Sequence, residues 1–149
     1  MRISKKGLYG LQAMVSLAQC YPSSTKIHEI ALAEQIPEKF LELILLDLKT
    51  ARFVESLRGA QGGYRLRHPP QEIFLGNIIR TIDGPLAPLG DAETLRRLVR
   101  QDKRHRALFR VFLDVRNAAS RIVDHISLAD LCRRTPKSLA PRAGRDAGT

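Results

Sequence analysis

Side chains suited to gripping a polyanion gather in two short stretches of this chain. The first is Glu38, Lys39 and Glu42, at the front of an aliphatic run. The second is Arg58, Gln61, Arg65, Arg67 and His68, set around Gly59, Gly62 and Gly63. Guanidinium and ammonium groups pair with phosphate, whereas carboxylates and carboxamides exchange hydrogen bonds with base edges. Other chemistries lack their residues. No Ser/His/Asp elbow, catalytic carboxylate pair or P-loop occurs, and the glycines lie between strand-like segments rather than before a helix. His28, His68, His105 and His125 are scattered, with no i, i+4 or Cys-paired metal pattern. The chain reads as a non-enzyme that uses no cofactor and no metal.

The elements around these stretches can be read from periodicity. A first helix is expected over about Lys5 to Cys20, with Ser4 as its cap and Leu8, Leu11, Val15 and Ala18 as its apolar stripe. Tyr21-Pro22-Ser23-Ser24 breaks it. A short helix follows over about Ile27 to Glu34, with Thr25 as its expected cap. Pro37 suits the first position of a third helix reaching about Thr50, with Phe40, Leu41, Ile44, Leu45 and Leu48 turned inward. Phe53 to Leu57 and Gly63 to Leu66 then read as two strands joined by a glycine-rich reversal. Further helices are expected over about Leu75 to Ile82, Glu93 to Val99 behind an Asp91 cap, and Lys103 to His125. In the last of these, Leu108, Phe112, Val115, Ala119, Ile122 and Ile126 form a heptad seam. Ser127 with Asp130 resembles a capping box for a final helix through Leu131.

Helix, turn, helix and β-hairpin is the winged helix-turn-helix plan, in which the second helix of the pair enters the major groove. The fold class is therefore mainly α: a winged helix-turn-helix DNA-binding domain over 1–70, and a connecting helix with a long dimerisation helix over 71–132. A basic tail, read as disordered, covers 133–149. The 149 residues carry a net charge of +10, divided +4, +2 and +4 among these three parts. Such an excess suits double-stranded DNA. The seam of Leu108, Phe112, Val115, Ala119 and Ile122 predicts a homodimer. No apolar run approaches the roughly 20 residues of a membrane span, and two cysteines make no disulfide framework. Cys20 and Cys132 read as small, buried apolar residues, and the protein as cytoplasmic.

Several ordered motifs carry a family resemblance. Met1-Arg2-Ile3-Ser4-Lys5-Lys6-Gly7-Leu8-Tyr9-Gly10 resembles the opening of the Rrf2 family of bacterial winged helix-turn-helix regulators (the IscR/NsrR/CymR-like proteins). Ile36 to Leu48 resembles the family's recognition helix, and Arg58 to Leu66 its R-G-x-x-G-G-Y-x-L wing. Pro69 to Ile73, Ile82 to Pro88 and Ser127 to Leu131 continue the likeness, which covers about residues 1–132. The resemblance implies homodimers on palindromic operators, and it places Glu42 at a base-reading position. Two departures stand out. Many relatives carry three cysteines before the long helix as iron–sulfur ligands, but Leu89 to His105 holds none, so a cluster-free member is expected. Where relatives have Gly before the first strand, this chain has Ala51-Arg52. A cluster-free regulator needs another input, so a protein or small-molecule effector is open. The alternative function is a winged-helix adaptor that docks a metabolic enzyme or other partner.

Overall fold

Ser4 sits in extended backbone and accepts a hydrogen bond from the Gly7 N–H (2.9 Å), which starts helix α1 (Lys5–Cys20). The computed structural model describes residues 2–60 and 62–134. After α1 come α2 (Ile27–Glu34), α3 (Glu38–Thr50), β1 (Val54–Leu57), β2 (Gly63–Leu66), one 3-10 turn (Pro70–Glu72), α4 (Leu75–Asp83), α5 (Ala92–Gln101), α6 (Arg106–Val123) and α7 (Leu128–Arg134). The expected mainly helical, winged architecture is present. The final helix runs on to Arg134, and residues 135–149 of the basic tail lie outside the described residues. Among the described residues no helix is long and apolar enough to cross a membrane.

Helix α1 turns a different face inward from the one its large residues suggest. Gly7, Gly10, Ala13, Met14, Leu17 and Ala18 are buried, whereas Leu8 is 49% exposed and Leu11 and Val15 are half-buried. The cause is close approach. A Cβ at Gly7 would strike the Asp83 carboxylate, and one at Gly10 would strike the Ile82 side chain. The end of α4 thus lies directly on the α1 backbone. There Asp83 accepts from the Ser4 backbone N–H (3.0 Å) and from its hydroxyl. The small residues that allow this contact do not register in an apolar-spacing argument.

Helix α3 behaves as its pattern predicts. Leu41, Ile44, Leu45 and Leu48 are fully buried and join Met14, Leu17, Ile30, Val54, Leu66, Ile73, Ile78 and Leu128 in one core. That core joins α4 and α7 to the winged helix-turn-helix. Paired bonds fix the connection, Leu75 N–H to Ile126 O and Leu128 N–H to Ile73 O, both 2.9 Å. Ser127 and Asp130 form the expected reciprocal cap, at 3.1 and 2.9 Å. Asp91 caps α5 through the Thr94 N–H (2.9 Å).

Thr25 does not cap α2, whose N-cap is Lys26 with no side-chain hydrogen bond. Instead Thr25 is buried and pairs with the wing. Its N–H donates to Tyr64 O and the Tyr64 N–H donates to Thr25 O, both at 2.8 Å. Gly63 (φ +137) allows this, because any Cβ there would meet the Thr25 carbonyl. The wing itself is antiparallel, with Val54 opposite Leu66, Glu55 opposite Arg65 and Ser56 opposite Tyr64.

The long α6 is tied to α4 by a bidentate pair: Arg80 donates to both oxygens of Asp124 at 2.6 and 2.8 Å. Gly76 makes room, since a Cβ there would collide with Asp124. The Arg80 guanidinium first, then the Ser120 hydroxyl, hold the Asp124 carboxyl at about 2, below its ordinary 3.8. Because the folded state binds the ionised form, this stabilisation is present above about pH 3.8 and lost as pH falls through about 2. Asp124→Asn should therefore be less stable at neutral pH and lose stability less steeply across that acid window, as followed by denaturant melts at a series of pH values.

Helix α3 ends in a Schellman arrangement. The Arg52 N–H donates to Lys49 O and the Phe53 N–H to Leu48 O, both at 3.0 Å. Arg52 pays for this geometry with φ +64, a conformation that costs a residue with a Cβ roughly 1–2 kcal/mol. Glycine relieves that strain but loses more chain entropy on folding, so Arg52→Gly should raise unfolding free energy by about 0.5–1 kcal/mol. Chemical denaturation of the two proteins checks it.

Candidate nucleic-acid interface

The outward side of α3 is built by default, because its inward side is fully committed to the core. Glu38, Lys39, Glu42, Leu43, Leu46, Asp47, Lys49 and Thr50 are all exposed. Glu42 and Lys39 make no hydrogen bond or ion pair with any described residue, so the two do not neutralise one another. The neighbouring charges do have partners. Lys6 pairs with Asp47 at 2.5 Å, Lys49 donates to the Ser56 hydroxyl at 2.8 Å, and Glu38 lies 3.4 Å from His28 Nδ1. Lys49 thereby links the end of α3 to the wing.

Arg58 is exposed at the end of β1, where Gly59 (φ +94) and the bond from Gly62 N–H to Gly59 O (2.9 Å) turn the chain. Gln61 lies outside the described residues. Arg65 differs from Arg58. It is half-buried, and its Nε donates to Glu55 Oε1 at 2.6 Å, directly across the strand pair. Four of its five N–H donors are not engaged by that bond. Arg67 and His68 are exposed beyond the wing. Between the start of α2 and the wing runs an open cleft of about 480 Å³, lined by Lys26, His28, Ser56, Gly59 and Tyr64 among others. Lys26 thus shares a cleft with the wing, and the end of α3 is tied to β1 through Lys49 and Ser56. Lys26 and the leucines Leu43 and Leu46 were not singled out by sequence. The two leucines could have been, because they fall outside the 41, 44, 45, 48 spacing of the core.

The apolar seam of α6 is partly turned outward. Leu108, Val111, Val115 and Ile122 are exposed, while Phe112 and Ala119 are half-buried. Val111 belongs to the exposed stripe although the heptad reading leaves it out. The two thiols sit elsewhere, half-buried where α1 meets α7. Burial, and secondarily the neighbouring Cys20, push the Cys132 thiol upward, away from the reactive thiolate form.

The Rrf2 family pattern, described as an iron-dependent transcriptional regulator, matches residues 3–134. The chain is 34% identical over 139 residues to the HTH-type transcriptional regulator CymR of Bacillus subtilis, a match spanning 91% of this chain and 92% of that protein. Its fold is similar to the solved structure of CymR, the global cysteine regulator of B. subtilis, with a TM-score of 0.78 at 32% identity over 91% of this chain and 99% of that one. The structure of T. potens IscR is also similar, with a TM-score of 0.73 and 31% identity over 93% and 90% of the two chains.

The iron in the family's description does not fit the donor set here. Leu89 to His105 offers no thiolate, and Asp102 in that stretch is already bonded to the His105 N–H (2.9 Å) and imidazole (3.0 Å). Among the described residues no three His, Cys, Asp or Glu side chains converge as a metal site. The family match across almost all described residues, and the likeness to CymR in both sequence and fold, establish that the chain belongs to the Rrf2 family of helix-turn-helix transcriptional regulators.

Proposed function

We propose that this regulator acts in the cytoplasm as a homodimeric repressor that reads a palindromic operator without an iron–sulfur cluster. The observation that supports this reading is the exposed polar face of α3, where Glu42 and Lys39 are exposed and the helix end is tied to the Arg58-bearing wing by the Lys49–Ser56 bond. In it, α3 enters the major groove, Glu42 accepts from cytosine N4, and Arg58 reaches a narrow minor groove. Lys39 and the remaining donors of Arg65 contact phosphate, and Gln61 extends the wing contact. Glu38 flanks the groove and repels misplaced phosphate. Lys26, at the mouth of the cleft, adds a further phosphate contact.

Glu42→Ala should relax sequence preference without abolishing binding. Arg58→Ala should weaken operator binding by roughly 1–3 kcal/mol and lower the salt slope by about one unit. Binding-site selection and salt titration of gel shifts measure both. An unchanged consensus for Glu42→Ala would remove that residue from base reading. A chain that shifts no genomic fragment would favour the adaptor function instead.

The exposed stripe of α6 supports the dimer. Leu108, Val115 and Ile122 are 50%, 47% and 62% exposed, so burying what remains open of each gains roughly 0.7–2 kcal/mol. Phe112 and Ala119 line the inner margin of the same interface. Because Val115 and Ile122 stand outside the core, Val115→Asp with Ile122→Asp should leave a folded monomer with operator affinity lost. Sedimentation checks the mass, and circular dichroism the fold. A double variant that remains dimeric would place the interface elsewhere.

A further inference from the structure

Two leucines stand at the centre of the outward face of α3. Leu43 is 60% exposed and Leu46 is 55% exposed, on a helix whose core leucines and isoleucine are all 0% exposed. Residues three and four apart share a helix face, so Lys39, Leu43, Leu46 and Thr50 run in one line with Glu42 beside them. Single exposed leucines are ordinary. Two at neighbouring helical positions, in the middle of the surface proposed above to enter the major groove, ask for an apolar partner in that groove.

Base edges in the major groove offer one such group, the C5 methyl of thymine. The surroundings of the leucines favour this occupant over a protein. The patch is only two side chains wide and is bordered by Lys39, Glu42, Asp47 and Thr50, all exposed. A stable protein interface needs an area of roughly 800 Å² on each partner, far more than two leucines provide. The net charge of +10 and the exposed Arg58 beside the same face match a polyanion. Leu43 lies in the second turn of α3, one turn beyond Lys39, at the depth where side chains of a reading helix meet base edges.

We infer that Leu43, supported by Leu46, is a specificity-determining residue that reads a thymine methyl in each operator half-site, next to the base pair contacted by Glu42. This rests on the DNA-reading function proposed above. The contact gains from burying one methyl, and it discriminates thymine from cytosine at a position where no hydrogen bond is made. Leu46 walls the far side of the methyl and keeps water from it.

The test uses the full chain and an operator obtained by binding-site selection. Each conserved thymine is replaced in turn by deoxyuridine, which removes the methyl and leaves every hydrogen-bonding group unchanged. At one position per half-site, affinity should fall about fourfold for a single methyl worth ~0.8 kcal/mol, and about fifteenfold with both half-sites changed. Leu43→Ala should bind the thymine and deoxyuridine operators equally, with an unaltered melting temperature because the side chain is outside the core. If no deoxyuridine substitution weakens binding, or if Leu43→Ala keeps the full penalty, the thymine contact is overturned while the DNA-reading function stands. If selection enriches no sequence at all, the DNA-reading function itself fails, and this contact with it.

Discussion

The fold depends on how closely other elements can approach the small-residue face of α1. This helix touches α2, α3, α4, α7 and β2, and it does so with Gly7, Gly10, Ala13 and Ala18 around Met14 and Leu17. A side chain larger than hydrogen at Gly7 would push away Asp83, and with it the carboxylate that holds the Ser4 backbone and hydroxyl. Close packing of this kind has little tolerance for added volume. Helix α1 thus sets the seat of α3.

A second constraint runs from α1 to α6. Asp83 at the end of α4 rests on α1, while Arg80, one turn earlier, grips Asp124 at the end of α6. One short helix therefore ties the winged helix-turn-helix to the long α6. The stretch without thiolates forms α5, capped by Asp91 and packed on α6.

The sequence was legible where large apolar residues recur at one helical spacing. Helix α3 is such a case, because Leu41, Ile44, Leu45 and Leu48 form a continuous stripe that outweighs the two outward leucines, Leu43 and Leu46. It was misleading for α1, where the buried face combines Met14, Leu17 and Ala18 with small residues, while Leu8 of the expected stripe is exposed and Leu11 and Val15 only border the core. It misassigned Thr25 as a helix cap, because the role of that residue comes from main-chain groups that carry no side-chain signature. The family-like wing motif located Arg58 and Arg65, yet only strand register shows that Arg65 is opposite Glu55 and paired with it. The missing glycine at the end of α3 was visible as a departure from the family pattern, and the structure resolves it: the two Schellman bonds hold Arg52 in a left-handed conformation whatever its side chain.

The two bonds between Thr25 and Tyr64 clasp the wing to the segment ahead of α2 through main-chain atoms. Any Cβ at Gly63 would strike the Thr25 carbonyl and open that clasp. In the DNA-bound state proposed above, the reach of the Arg58 tip is thereby inherited from the backbone at Gly63 rather than from the side chain that does the probing.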